Sequence, residues 1–266
     1  MKKYVIVCLL MFFMAALPAR SQSSGQVTYE VTRKLEIHPG GLKFIINGEV
    51  VKPGDANFPT DIPDTRTYGQ KVLFAGNFAK ENRDEQNMVR RTLAHDPLLG
   101  GGAPQTKNMG RPFEEQTYVD LAARKVVTML TIGKEKEAKM YRSEKPFQPV
   151  TGWQITDQTK KIAGYLCKKA TVPFNKEIYT VWYTTELPVT YSPVYDLTPE
   201  AGVVLLIEGS KEQYRATKVN TDAVDMKELQ PSADAQKVSP EQLKDLREKA
   251  MADFQQEMGI GGGGGN

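Results

Sequence analysis

Histidine and cysteine are scarce in this 266-residue chain, two of each, and that scarcity sets the first limits on its chemistry. His38 stands beside Pro39 and His95 before Asp96-Pro97, neither with a second histidine at metal spacing. No CxxC, HExxH or GxSxG string occurs, so the local signatures of zinc sites, redox dithiols and nucleophile elbows are all missing. Acidic pairs such as Glu114-Glu115 and Asp84-Glu85 read as solvated surface charge. The glycine run 261–265 has no following Lys-Ser/Thr, which excludes a phosphate loop. The expectation is a chain that is not an enzyme, with no metal and no cofactor.

Long apolar runs are also few. The one uncharged apolar stretch, Tyr4 to Leu17, follows Lys2-Lys3 and precedes Ala19-Arg20-Ser21, the layout of a secretory leader over 1–21. It is shorter than the roughly 18 apolar residues a spanning helix needs, and no later segment reaches that length. Export is therefore expected, to the periplasm or the outer-membrane surface, with no transmembrane span once the leader is removed.

Net charge is small. Residues 1–21 hold three of the 35 basic residues and none of the 32 acidic ones, so the remainder balances at 32 against 32. The whole-chain pI near 8.6 thus comes from the leader, and nucleic acid is not an expected partner. The leader also carries Cys8, which leaves Cys167 alone and without an internal disulfide partner. An exposed lone thiol invites intermolecular pairing in an oxidising compartment, so Cys167 reads as a small buried apolar residue.

What is abundant is strand pattern. Val27, Tyr29 and Val31 alternate with Thr28, Glu30 and Thr32, a half-buried strand. His38–Gly41 (HPGG) reads as a turn, and Leu42–Val51 as a β run with an Asn47-Gly48 turn. Further strands are expected at Val72–Phe78, across Glu114–Gly133, at Trp153–Thr156, through Cys167, at Ile178–Thr184, at Gly202–Gly209 and at Glu212–Asp222. A hairpin with its loop at Phe174–Glu177 places Lys169 opposite Trp182. Ile178 and Trp182 then share one face, with Tyr179, Val181 and Tyr183 on the other. Both faces need cover, so Tyr179, Trp182, Tyr183 and Trp153 are candidate ligand-facing or core aromatics.

The spans 52–69 and 81–111, rich in Pro and Gly, read as irregular insertions in a single β domain over 22–238. The period changes at the end. Ser239 as N-cap, Pro240 as first helical residue and a stripe of Leu243, Leu246, Ala250, Phe254 and Met258 define an amphipathic helix over 239–258. Gly259 suits its C-terminal cap, and 259–266 form a flexible glycine tail. The fold class expected is mainly β: a strongly curved antiparallel sheet or partly open barrel with a C-terminal helix.

Between Trp153 and Glu208 the chain resembles the GLPGLI family of exported Gram-negative proteins. The strings are Trp153-x-Ile155, IAGYLCKKAT, YTVWYTTELP and SPVYDLTPEAGVVLLIE, with Tyr165, Cys167, Ala170, Pro188, Pro193, Gly202, Leu205 and Ile207 at the motif positions. Tyr118–Leu121 and Val27–Val31 fit upstream elements. The signature hexapeptide itself is replaced, and Ser192-Pro193 stands where Gly-Pro is usual, as in a divergent member. The resemblance implies a sheet similar to that of periplasmic lipoprotein carriers, with a helix over its concave side and an apolar ligand or acyl chain against it. The functional expectation is a non-enzymatic envelope protein binding a lipid or other apolar ligand, or a partner, through the curved sheet. The alternative is a structural or accessory module that engages other envelope proteins without a small-molecule ligand.

Overall fold

The computed structural model describes residues 24–35, 44–46, 49–51, 54–55, 64–84, 88–92 and 105–257. The leader, the turn at 38–41, Asn47-Gly48, Met258, Gly259 and the glycine tail lie outside the described residues. Alternation at the start of the chain gives β1 (Ser24–Lys34), in which Val27, Tyr29 and Val31 are buried. A short antiparallel pair follows, β2 (Phe44–Ile46) and β3 (Glu49–Val51). Next come β4 (Thr65–Ala75) and β5 (Phe78–Arg83), then a second antiparallel pair, β6 (Met88–Thr92) and β7 (Gln105–Gly110). Meander-like strands continue with β8 (Glu114–Asp120), β9 (Lys125–Ile132) and β10 (Lys139–Pro146). The second half holds β11 (Gln154–Ile162), β12 (Tyr165–Phe174), β13 (Glu177–Thr184), β14 (Val203–Glu208) and β15 (Glu212–Asn220). A two-residue strand β16 (Gln236–Lys237) and the helix α1 (Pro240–Glu257) complete the described chain.

Twelve of these strands form one sheet in the order β11-β12-β13-β14-β15-β1-β4-β5-β8-β9-β10-β16. Every pairing in it is antiparallel except that of β10 with β16, and β11 and β16 remain separate edges, so the sheet does not close. Register shifts at Thr28/Tyr29, Ile155/Thr159 and Trp182/Tyr183 bend the strands where they occur. The sheet curls until its two halves share one core, with Val27, Val31, Val72 and Phe74 in the same apolar cluster as Cys167, Val172, Val181 and Ile207. Tyr29 shows how close the packing is. It faces Ala216 across the β1–β15 pair, and this small neighbour leaves its ring room to lie over β15. Its hydroxyl donates to the Val204 carbonyl on β14 at 2.8 Å.

The helix is mainly a lid on the far edge, in contact with β10 and β9. Ser239 Oγ accepts from the Gln242 amide at 3.1 Å while Gln242 Oε1 accepts from the Ser239 amide at 2.9 Å, a reciprocal cap that satisfies two otherwise orphaned donors. Leu243 and Ala250 are buried beneath it, and Arg247 pins it to Glu115 of β8 at 2.5 Å. The carrier-like arrangement, with a helix covering the concave face, is therefore corrected. The helix stripe is narrow and lies against β10 and β9.

The span 52–69 contains the start of β4, and 81–111 contains the end of β5 together with the paired β6 and β7.

Candidate functional site

The long connection between β13 and β14 folds back over the core and is held there by a buried carboxyl. Leu187, Val189, Tyr191 and Leu197 of this connection are buried, and the Tyr191 amide donates to the Gly202 carbonyl at 3.1 Å. Gly202 stands with φ at 99°, and a Cβ there would collide with the Thr184 carbonyl oxygen, so only glycine fits. Beneath the connection, Glu81 on β5 points into the core and is 2% exposed. Its Oε1 accepts the hydroxyl of Tyr191 at 2.7 Å and that of Tyr195 at 2.8 Å.

Glu81 is the one buried carboxylate among the described residues. Loss of hydration raises its pKa above the ordinary carboxylate value, an effect that the two tyrosine donors and the Arg83 guanidinium oppose. Arg83 lies 3.8 Å from Oε2, too far to pair closely. Burial likewise raises Tyr191 and Tyr195, with the Glu81 charge as the next cause, so both hydroxyls remain donors at any ordinary pH. Gln70, fully buried on β4, stands opposite Arg83 in register and next to Glu81 on the same face. This polar centre ties β4 and β5 to the 185–202 connection.

The outer side of that connection walls a cleft of about 410 Å³ at the turn end of the sheet. The β4–β5 turn brings Gly76 and Asn77, the β8–β9 turn brings Ala122 and Arg124, and the crossing after β10 brings Phe147. Glu200 and Ala201 close it on the side of the connection. Tyr195 links cleft and core: its ring packs on Phe147 with centroids 5.4 Å apart while its hydroxyl bonds Glu81.

The sequence-derived candidates lie elsewhere. Tyr179 is buried against the Phe174 ring, centroids 5.4 Å apart, and Tyr183 meets Trp153 edge-on at 6.4 Å. Trp153 donates its indole N–H to the Val150 carbonyl at 3.0 Å. Trp182 sits on the opposite face from Tyr179 and Tyr183, opposite Lys169, and its indole N–H donates to Glu208 at 3.2 Å. Of the motif positions, Tyr165 is half-buried while Cys167, Ala170, Pro193, Gly202, Leu205 and Ile207 are buried. Pro188 is exposed, at the wall of the cleft. Burial pushes the Cys167 thiol up to about 11, with the Glu186 charge adding to it, so no nucleophilic thiolate forms there. The inner aromatics contact protein, not solvent.

Sequence reasoning passed over Glu81, Tyr191 and Tyr195. One signal pointed to the first of these. Glu81 follows Ala79 by two residues in a strand, which puts it on the same inward face.

A family model for the N-terminal domain of N-glycanase matches residues 84–249. The chain belongs to the N-glycanase N-terminal domain family. This corrects the GLPGLI resemblance, and with it the carrier-like reading. The motif strings that carried the resemblance fall on β11–β14 and the connections between them, and apolar, β-branched and aromatic runs of this kind suit any strand covered on both faces. The match also corrects the expectation that the chain is not an enzyme, since the family matched is that of an N-glycanase domain. That expectation came from missing His, Cys and Ser signatures, and the absence of a short motif says nothing about a site assembled from distant parts of the chain. Two solved structures, both of PNGF-II, in P21 and C2 crystal forms, are similar to this N-glycanase-family chain at 16% and 15% identity, each with a TM-score of 0.49. The matches cover 86% and 85% of this chain and 34% and 33% of theirs, so the chain spans about a third of their length. No curated protein matches.

Proposed function

We propose that this chain works in the removal of N-linked glycans, as the N-terminal domain type of an N-glycanase, and that the turn-end cleft holds part of the glycoprotein substrate. The family match over 84–249 carries the reading. The cleft supports its second half: it is a concavity rimmed by exposed polar side chains, with one wall fixed to the core through Glu81. Glycoproteins of this kind are met outside the cytoplasm, and the leader-like residues 2–21 support export of the chain to the same side of the membrane.

The test uses the full chain and a denatured glycoprotein carrying N-linked glycans. Released glycan is measured by mass spectrometry, and binding is compared with the same protein after its glycans are removed. Release of glycan, or clearly tighter binding to the glycosylated form, is expected. Equal binding to both forms with no release overturns the reading.

A further inference from the structure

We propose that the inward face of the sheet, at the end opposite the turn-end cleft, binds an oxoanion, the carboxylate, sulfate or phosphate group of a small ligand, through Arg33, Arg66 and Arg83. This goes beyond the N-glycanase reading and does not depend on it. The three arginines come from adjacent strands: Arg33 from the end of β1, Arg66 from the start of β4 and Arg83 from the end of β5. Alternation puts all three on the face that carries Val31, Gln70 and Glu81. Arg33 and Arg66 are direct partners across the β1–β4 pair, a placement in which like charges repel. In the next inward row, Tyr214 and Tyr68 flank Val31. Arg33 donates to the Tyr214 hydroxyl and lies 5.6 Å from its ring centroid, and Arg66 lies 5.9 Å from that of Tyr68. Tyr68 and Tyr214 are also near enough to act electrostatically on both Arg33 and Arg83, so these two guanidiniums flank the same pair of rings.

The acids that reach these cations do not balance them. Glu212 pairs with Arg33 at 3.2 Å, while Glu81 stands 3.8 Å from Arg83 with a carboxyl that burial biases toward its neutral form. Arg66 makes no ion pair among the described residues. Three permanent cations thus share one firm anion and one weakened one. A separate observation points to a missing acceptor. Gln70 is fully buried, yet neither atom of its amide has a hydrogen-bond partner, which is rare enough in a folded protein to need a cause. It lies opposite Arg83 in register and two residues along β4 from Tyr68, so its NH2 is a donor at the floor of the site. Glu81 Oε2 also lacks a hydrogen-bond partner, and in its protonated form it is a further donor. An oxoanion accepts from all of these and takes guanidinium forks two bonds at a time, whereas a metal ion there would meet three positive charges. The side chains of Arg33 and Arg83 are about half exposed, which leaves the site open to solvent.

Calorimetric titration of the full chain with citrate, sulfate and phosphate, at an ionic strength fixed with sodium chloride, tests this. Saturable one-to-one binding of at least one probe is expected. Citrate alone marks a carboxylate ligand, and sulfate or phosphate marks an ester of that acid. Arg66→Gln and Arg33→Gln are each expected to weaken the binding by about tenfold. Arg66→Lys keeps the charge but loses the fork, so it should recover the affinity only in part. Arg215→Gln removes the same charge from the opposite face of β15, one residue from Tyr214, and should leave the affinity unchanged. Melting temperatures without ligand show which variants are folded. Arg66 is exposed and unpaired, so Arg66→Gln decides the matter if Arg33→Gln does not fold. Absence of saturable binding by all three probes overturns the proposal, the cluster then holding water alone. An equal loss in Arg66→Gln and Arg215→Gln also overturns it, because net charge and not a site would explain the binding. None of these results bears on glycan release, so the N-glycanase reading stands or falls by its own assay.

Discussion

Tyr191 donates its hydroxyl to Glu81 at 2.7 Å although 110 residues separate the two in the chain. The bond ties the connection that walls the cleft to the middle of the sheet. Its acceptor is a carboxyl whose pKa burial has raised above the ordinary 4.5, and the sign of the resulting pH dependence follows. A raised folded-state pKa means that the folded protein holds the proton more tightly than the unfolded chain. The stabilisation from Glu81 is then complete below 4.5 and is lost as pH rises through the folded-state value. Glu81→Gln keeps an acceptor oxygen for the two tyrosines and removes the titration. Denaturation curves taken from pH 4 upward are expected to show wild type losing ground to the Gln variant as pH rises. A difference that stays flat over that range contradicts the assignment.

Removing one donor tests the same centre from the other side. Tyr191→Phe keeps the ring, buried at 2% exposure, and deletes only the hydroxyl. A hydrogen bond to a charged or partly charged acceptor in a dry site is worth about 1.5–3 kcal/mol, so urea denaturation should show a loss in that range with an unchanged slope. Tyr195→Phe deletes the second donor to the same buried carboxyl oxygen, and its loss is expected in the same range.

Cys167 is expected to be silent in the native protein. It is fully buried, with its thiol held at about 11 by burial first and the Glu186 charge second. A thiol reagent at neutral pH should label it only on the timescale of unfolding, and fully once denaturant is added. Rapid stoichiometric labelling of the folded chain would show that this strand opens far more readily than its packing implies.

Strand residues were legible because burial on a two-faced sheet imposes a period of two. That rule placed Val27, Tyr29 and Val31 inside, put Lys169 opposite Trp182, and set Trp182 on the face away from Tyr179 and Tyr183. The helix was legible too, since Ser239 and Gln242 form a cap that depends only on neighbours in sequence. The polar centre was not. Glu81, Tyr191 and Tyr195 come from a strand and a distant connection, and only the curl of the sheet brings them together. The cleft is less legible still, being made of two turns, a crossing and the 185–202 connection, whose residues follow no period. Family membership was misread because strings such as YTVWYTTELP report strand burial, which unrelated sheets share.

Trp182 is 8% exposed, and two lysines from neighbouring strands lie close to its ring, so its cover is the last point to test. Lys160 places its ammonium 4.7 Å from the indole centroid and Lys169 places its own at 5.9 Å. Two effects are combined there: attraction of a cation to the ring face, about 0.5–1 kcal/mol at a solvent-facing site, and removal of apolar ring surface from water by the methylene stem. The variants Lys160→Met and Lys160→Ala separate them. Met keeps a long apolar stem without charge, so it should lose only the cation term, whereas Ala should lose both and expose the ring. The expected order of stability is wild type, then Met, then Ala, with the Trp fluorescence of the Ala variant shifted to the red and more readily quenched by iodide. If Met and Ala lose the same stability, the charge alone matters; if Met equals wild type, the stem alone does. Repeating both changes in a Trp182→Leu background should abolish the charge contribution, since Leu offers no ring face to a cation.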